Sequence, residues 1–302
     1  MNNISSIGHC ILKSPTEVGS RDTLPFLSPE FDYELQGIED PRIVKIEDTF
    51  FLTYTAYDGK NALGALATSK DFGTFTKEGI ITPKMTYQEF ELAMKQCKTS
   101  NDKSLRFVNV LSRSTGDEAS KHLFVWDKDV IFFPKKIQGK FAFLHRLYPD
   151  IQIAYFNEIE ELDSEYWEHY VCQMGENTVL SSVMPFEGSY LGGGCPPIET
   201  EQGWLMIYHG VEDTPQGYIY HAGAALLDLE DPTKVIGRLK TPLISPEHTW
   251  EKQGKVNNVV FPTGTIVRDD TLYIYYGAAD SMIGVASVNL SALITEILDS
   301  HL

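Results

Sequence analysis

Two acids, Glu39 and Asp40, stand directly before Pro41 and Arg42 in the string GIEDPRI that begins at Gly37. A carboxyl group can move a proton in catalysis if it is held in place and its neighbour takes a different charge state. Pro41 fixes its own φ and biases Asp40 towards an extended backbone. Arg42 can pair with Glu39 and keep it ionised, which leaves Asp40 as the candidate acid. Taken alone, the same string reads first as a turn closed by a salt bridge. Other polar groups recur along the chain. Aligning four apolar segments brings Thr55, His145, His209 and Tyr276 to matching places, followed by Asp58, Glu212 and Asp280. Arg146 adds a cation beside His145. Trp126, Trp204 and Trp250 offer either flat faces for a sugar ring or ordinary core.

The segments that must carry these residues are DTFFLTYTAYDG from Asp48, QGKFAFLHRLYP from Gln138, QGWLMIYHGVED from Gln202 and DDTLYIYYGAAD from Asp269. Each opens on a polar turn and runs through aromatic and β-branched residues, which favour strands. A second strand follows each, at Ala62, Ile151, His221 and Met282. SSIGHCILKSPTE near the start resembles such a second strand without its partner. Paired strands repeated at wide spacing, with no long helix between them, point to an all-β, five-bladed β-propeller whose first blade is incomplete. The expectation is a single domain over 1–302, with one small helical insertion around 84–120. There Tyr87, Phe90 and Met94 fall at helical spacing, and Thr86 with Glu89 forms a capping box. The acid pair is expected just before the first strand of its blade. Equivalent positions on the strands would ring one end of the propeller axis, where a few placed polar groups make a pocket.

The chain has 302 residues, with 25 basic against 42 acidic side chains and a formal charge of −17. Such a surface repels a duplex or an anionic membrane. The four cysteines, Cys10, Cys97, Cys172 and Cys195, make no C-x-x-C pair, so zinc-ribbon and redox readings fail and a reduced, cytoplasmic protein is expected. The N-terminus shows no signal-peptide pattern, and no apolar run spans a bilayer. No metal motif is visible.

GIEDPRI at Gly37, KDVIFFPKKIQGKFAFLHR at Lys128, GGGCPPIETEQGWLMIYHGV at Gly192 and NNVVFPTG with YYGAAD from Asn257 resemble, in order and over nearly the whole chain, glycoside hydrolase family 130. The resemblance implies a five-bladed propeller acting on β-mannosides. Most members are inverting phosphorylases that use inorganic phosphate to give α-mannose 1-phosphate; others are hydrolases. It makes Asp40 the general acid, acting through a sugar hydroxyl. It makes Arg146, His209, Tyr220 and Lys128 phosphate ligands, and Glu39, Arg42, Tyr190 and Asp280 substrate-binding residues. Two positions depart from the phosphorylase pattern: Lys128 where an arginine is common, and Tyr190 where a lysine is common. A hydrolase would need a second carboxylate to activate water, and Glu187 or Glu212 is the candidate. Family members usually carry a further segment ahead of the first strand, so a non-catalytic carbohydrate-binding propeller is a third reading. No cofactor is implied beyond phosphate as co-substrate. The expected partners are an oligosaccharide and phosphate, not nucleic acid or membrane, and a homo-oligomer is left open.

Overall fold

A computed structural model of the chain describes residues 4–97, 122–147 and 149–300. The chain divides into two compact units, Met1–His9 with Arg21–Thr178, and Cys10–Ser20 with Val179–Leu302. It is mostly β-structure with few helices.

In the first unit β3 (Gly37–Ile46), β4 (Thr49–Tyr57), β5 (Ala62–Ser69) and β6 (Thr76–Ile80) form an antiparallel run. β7 (Asp127–Phe132), β8 (Phe141–Leu147) and β9 (Ile151–Phe156) form a second, joined to the first by a parallel contact of Leu63 with Asp127. β10 (Thr178–Leu180) carries the chain into the second unit, to which the β1 (Cys10–Ser14) and β2 (Glu17–Arg21) hairpin contributes Cys10–Ser20. There β11 (Tyr190–Gly193) and β12 (Ile198–Thr200) both pair with β13 (Gly203–Thr214), followed by β14 (Gly217–Leu227) and β15 (Val235–Arg238). A three-stranded sheet of β16 (Val260–Arg268), β17 (Thr271–Ala278) and β18 (Met282–Asn289) completes the unit.

All eight strands expected from the repeat are present, but each repeat begins one strand earlier than the pattern suggested. β3, β7, β11 and β16 precede the segments taken as first strands. GIEDPRI therefore lies inside β3 and not ahead of it. Three of these four leading strands are interrupted, which hides their alternation. The pairing shifts register between Glu39 and Arg42, between Lys128 and Ile131, and between Pro262 and Gly264, and a bulge breaks the alternation that marks a strand.

The core of the first unit gathers Phe51, Phe132, Phe143 and Phe156 from the strands. Onto them pack α1 (Tyr87–Gln96), through Tyr87, Phe90 and Met94, and α2 (Ser164–Gln173), through Trp167, Tyr170 and Val171. Each such ring contributes about 1.5–3 kcal/mol when buried. The anticipated capping box is formed: Thr86 Oγ1 accepts from Glu89 N at 3.2 Å, and Glu89 Oε2 accepts from Thr86 N at 2.8 Å. The rest of the expected insertion, 98–120, lies outside the described residues. In the second unit, Leu205, Ile207, Ala224 and Leu226 of the central strands meet Leu293, Ile294 and Ile297 of α3 (Leu290–Asp299).

The cysteine reading needs correction. Cys97, at the C-terminus of α1, is disulfide-bonded to Cys172 in α2, with Cα atoms 5.1 Å apart. Packing of the two helices brings together cysteines 75 residues apart, and no sequence spacing announces this. Cys10 is exposed and Cys195 buried, neither of them in this disulfide. Among the described residues no helix is long and apolar enough to cross a membrane.

Candidate functional site

In the first unit one row of residues runs across the sheet. Glu39 pairs with Thr55 and Thr55 with Gly64; next to Gly64, Leu63 meets Asp127; next to Asp127, Lys128 pairs with Arg146. Asp40 follows Glu39 at the bulge of β3 and has φ +51°, so it is left-handed and not extended as the following proline suggested. Such a conformation in a non-glycine residue is uncommon and is retained where surrounding structure enforces it. Part of that enforcement comes from Arg42. It is buried, and its Nη1 donates to the carbonyls of Asp40 at 2.9 Å and Pro41 at 3.1 Å, bracing the two bulge residues. Glu39 accepts from Ser5 Oγ at 3.2 Å.

The second bulge repeats the first. Asp129 in β7 has φ +57°, and its Oδ2 lies 2.8 Å from Arg146 Nε. Asp127 accepts from the Arg146 backbone N–H at 3.1 Å through Oδ1 and faces His145 Nδ1 at 2.7 Å through Oδ2. Arg146 is thereby fixed at both its backbone and its guanidinium. The Lys128 ammonium lies 5.5 Å from the ring centroid of Trp126, which is about half exposed.

In the second unit, Tyr190 on β11 and Tyr220 on β14 both stand opposite Val211 of the strand between them. The two phenols meet there, their hydroxyls 2.9 Å apart. His209 lies two residues back along β13, on the same face. It is buried, its ring centroid 4.5 Å from Phe261 and 6.4 Å from both tyrosine rings. Glu212 Oε2 is 3.3 Å from His221 Nε2, and His221 Nδ1 meets Ser245 Oγ at 2.9 Å. Burial lowers the His221 pKa below its usual 6.5, only partly offset by Glu212. Asp280 is exposed, in the β17–β18 turn, where it and Ala279 both have positive φ.

The expected ring of Thr55, His145, His209 and Tyr276 is off by one residue in two of its members. The equivalent residues are Tyr54, His145, Tyr208 and Tyr276, each bonded to a buried acid. Tyr54 donates to Glu34 at 2.7 Å, Tyr208 to Glu187 at 2.7 Å and Tyr276 to Glu251 at 2.7 Å, while His145 meets Asp127. A strand has period two, so a shift of one residue moves a side chain to the opposite face. Each of the three glutamates also caps a short helical turn through Oε2. Glu34 accepts from the N–H groups of Glu30 and Phe31, Glu187 from Val183 and Met184, and Glu251 from Glu247 and His248. Burial alone would raise the Glu34 pKa, but bonds from Lys77, Tyr54 and Glu30 outweigh it and lower the value; Glu251 is lowered in the same way, by His248, Tyr276 and Glu247.

Glu187 is fully buried, and Arg238 Nη2 donates to its Oε1 at 2.6 Å. With Tyr208 on the same oxygen and two backbone N–H groups on the other, it receives four donors. Asp58 is likewise occupied: it accepts from Lys60 N and Asn61 N, both at 2.7 Å, and from Asn61 Nδ2 at 2.8 Å. Of the tryptophans, Trp204 is core and Trp126 stands out. Asp127, Asp129 and the glutamate–tyrosine pairs escaped sequence reading. The signal of the pairs was present, as a glutamate 20, 21 or 25 residues before the tyrosine in three of the four repeats.

The model of glycoside hydrolase family 130, described as beta-1,4-mannooligosaccharide phosphorylase, matches residues 4–299. A 1,2-beta-oligomannan phosphorylase of Thermoanaerobacter sp. (strain X514) is 35% identical over 291 residues, covering 95% of this chain and 79% of the relative. A beta-1,2-mannobiose phosphorylase of Listeria innocua is 32% identical, over 91% of this chain and 64% of the relative. The structure of a Listeria innocua beta-1,2-mannobiose phosphorylase in complex with beta-1,2-mannobiose superimposes with a TM-score of 0.69 at 31% identity, covering 93% of this chain and 66% of the other. The chain thus spans about two thirds to four fifths of these relatives.

Proposed function

The chain belongs to glycoside hydrolase family 130, and from that premise we propose that it is a five-bladed propeller enzyme that cleaves β-mannosides by inverting phosphorolysis, releasing α-mannose 1-phosphate. Asp40 is the proton donor to the leaving oxygen, acting through a sugar hydroxyl. Arg146, His209, Tyr220 and Lys128 bind phosphate, and Glu39, Arg42, Tyr190 and Asp280 bind sugar. Phosphate needs no general base, because it arrives as a nucleophile; it needs charge-assisted hydrogen bonds to hold it. Arg146, with Asp129 on Nε, has its guanidinium plane set in advance, which suits bidentate recognition. The hydroxyls of Tyr190 and Tyr220 stand together where the departure from lysine had suggested a weakened site.

The observation that carries this reading is the state of Glu187. A hydrolase needs a carboxylate with a lone pair for water, and this one already accepts from Tyr208, Arg238 and two backbone N–H groups. Hydrolysis keeps one other candidate in Glu212, whose side chain is 39% exposed. The phosphorylase names of the relatives support phosphorolysis.

The test incubates the protein with β-1,2- and β-1,4-mannobiose, with and without phosphate, and follows mannose 1-phosphate by phosphorus NMR. Turnover that requires phosphate is expected. Equal turnover without it overturns phosphorolysis in favour of hydrolysis. Asp40→Asn is expected to lower kcat by about 10²–10⁴-fold, the usual worth of a general acid.

A further inference from the structure

Trp126 is 47% exposed, yet its indole is tied down. Nε1 donates to the carbonyl of Lys60 at 2.9 Å. The backbone on either side is pinned as well. Phe124 N donates to Asn61 Oδ1 at 2.9 Å, Val125 N donates to Met85 O at 2.8 Å, and Asp127 pairs with Leu63. Lys60 and Asn61 belong to the β4–β5 turn that the Asp58 carboxylate builds from three donors. Those bonds, from the backbone and side chain of Asn61 and the backbone of Lys60, outweigh the effect of burial and hold the Asp58 carboxyl below its usual range. The turn is thus a rigid bracket, and Trp126 is tied to it.

A half-exposed indole leaves a large apolar surface in water, which is unfavourable unless something covers it. Its polar edge already has a partner within the chain, so what it offers is a ring face. Lys128, next but one in sequence, sets its ammonium over one side of that ring, 5.5 Å from the centroid. A flat, immobile and half-exposed aromatic ring suits the C–H face of a pyranose ring. Such stacking costs little ordering entropy because the ring is already fixed. A chain with a charge of −17 also favours a neutral glycan over an anionic one.

The sheet register gives the platform its place. Asp40 lies beside the Glu39–Thr55 pair, whereas the bracket begins at Asp58, three residues further along β4. At a rise of about 3.3 Å per residue this is roughly 10 Å beyond the acid's row. Both stand at the same end of the sheet, because β7 enters at Asp127 opposite Leu63.

We propose that Trp126 is a sugar-stacking platform that holds a mannose unit other than the one cleaved, with Asp58 as its positioning residue, so that it sets the preference for longer oligosaccharides. This rests on the proposed mannoside activity. Uniform binding by a remote sugar shows as KM without kcat. Trp126→Ala is therefore expected to raise KM for mannotriose about tenfold, the worth of one aromatic stack, to raise KM for mannobiose less, and to leave kcat and the thermal midpoint in place. Trp126→Phe, which keeps a ring for both sugar and Lys128, is expected to recover most of the loss. KM for phosphate, measured in the same variants, separates the platform from an effect on Lys128. Wild-type turnover with an unchanged mannotriose KM in Trp126→Ala, or a rise confined to phosphate KM, overturns the platform. Absence of mannoside turnover in the wild type overturns the proposed function and this inference with it.

Discussion

Glu187→Gln replaces a buried carboxylate by a group of the same size and asks whether the acid is scaffold or catalyst. Glu187 has Tyr208 and Arg238 on Oε1 and the N–H groups of Val183 and Met184 on Oε2. An amide has one acceptor and one donor end. If its oxygen faces the backbone, its NH₂ points at Tyr208 and Arg238; if it is turned round, its NH₂ points at two N–H groups. The tyrosine can rotate its hydroxyl away, but Arg238 Nε also donates to that hydroxyl, and the guanidinium cannot change sign. Removing one partner of a buried ion pair costs about 3–5 kcal/mol, chiefly through the charge left behind. Against a total stability of roughly 5–15 kcal/mol, the variant still folds, with a clearly lower urea midpoint. Urea unfolding followed by the fluorescence of buried Trp204, with turnover measured per folded molecule below the transition, checks both sides. Adding Arg238→Met should recover part of the loss, since the stranded charge is then gone. Wild-type stability with abolished turnover would refute the reasoning and make Glu187 a catalytic base.

The remaining predictions concern stability. The Cys97–Cys172 bond closes a loop of 75 residues, which in the chain-entropy treatment stabilises by about 4 kcal/mol. The unreduced, denatured protein should show two free thiols of four, and Cys97→Ser with Cys172→Ser should lower the melting temperature; four free thiols would remove the disulfide. Acid lability should set in at two levels. The His221 pKa is lowered by burial, so the unfolded chain binds that proton more readily, and stability present above about pH 6.5 is lost as pH falls through the lower folded value. His221→Gln should flatten the denaturation midpoint there. Glu34 and Glu251, also lowered, contribute stability above their unfolded value of about 4.5 and lose it only in stronger acid.

The strands were legible because alternation of aromatic and β-branched residues is a local property. So was the start of α1, where Thr86 and Glu89 sit at fixed spacing. The leading strands were not: bulges at Asp40, Asp129 and Thr263 interrupt three of them, and β11 is only four residues long. The one-residue error followed from that gap. Without the leading strands nothing fixes which face a residue uses, so His209 was aligned with His145 although Tyr208 is its equivalent. Asp40 was misread for a different reason. A residue before proline prefers extended backbone, and here the bulge, with Arg42 on its carbonyls, overrides that preference. Partners such as Asp129 and Arg146, or Cys97 and Cys172, are set by packing and leave no local mark.

The two bulge aspartates carry the comparison further. Asp40 lies opposite Tyr54, which Glu34 holds; Asp129 lies opposite His145, which Asp127 holds. The same backbone device is therefore built twice on the same kind of buried anchor. The anchors need room. Gly223 lies beside the ring of Tyr208 and Gly284 beside that of Tyr276, where a Cβ would come within 2.3 and 2.6 Å of the ring. The copies differ in the residue that follows the anchor. After His145 comes Arg146, which pairs with Asp129; after Tyr54 comes the uncharged Thr55. One scaffold position thus supplies the cation that meets Asp129 in one copy and, in the other, an uncharged side chain paired across the strands with Glu39. The two proposed roles build on that difference: Asp129 orients the arginine proposed to bind phosphate, and Asp40, its carbonyl braced by Arg42, is the proposed proton donor.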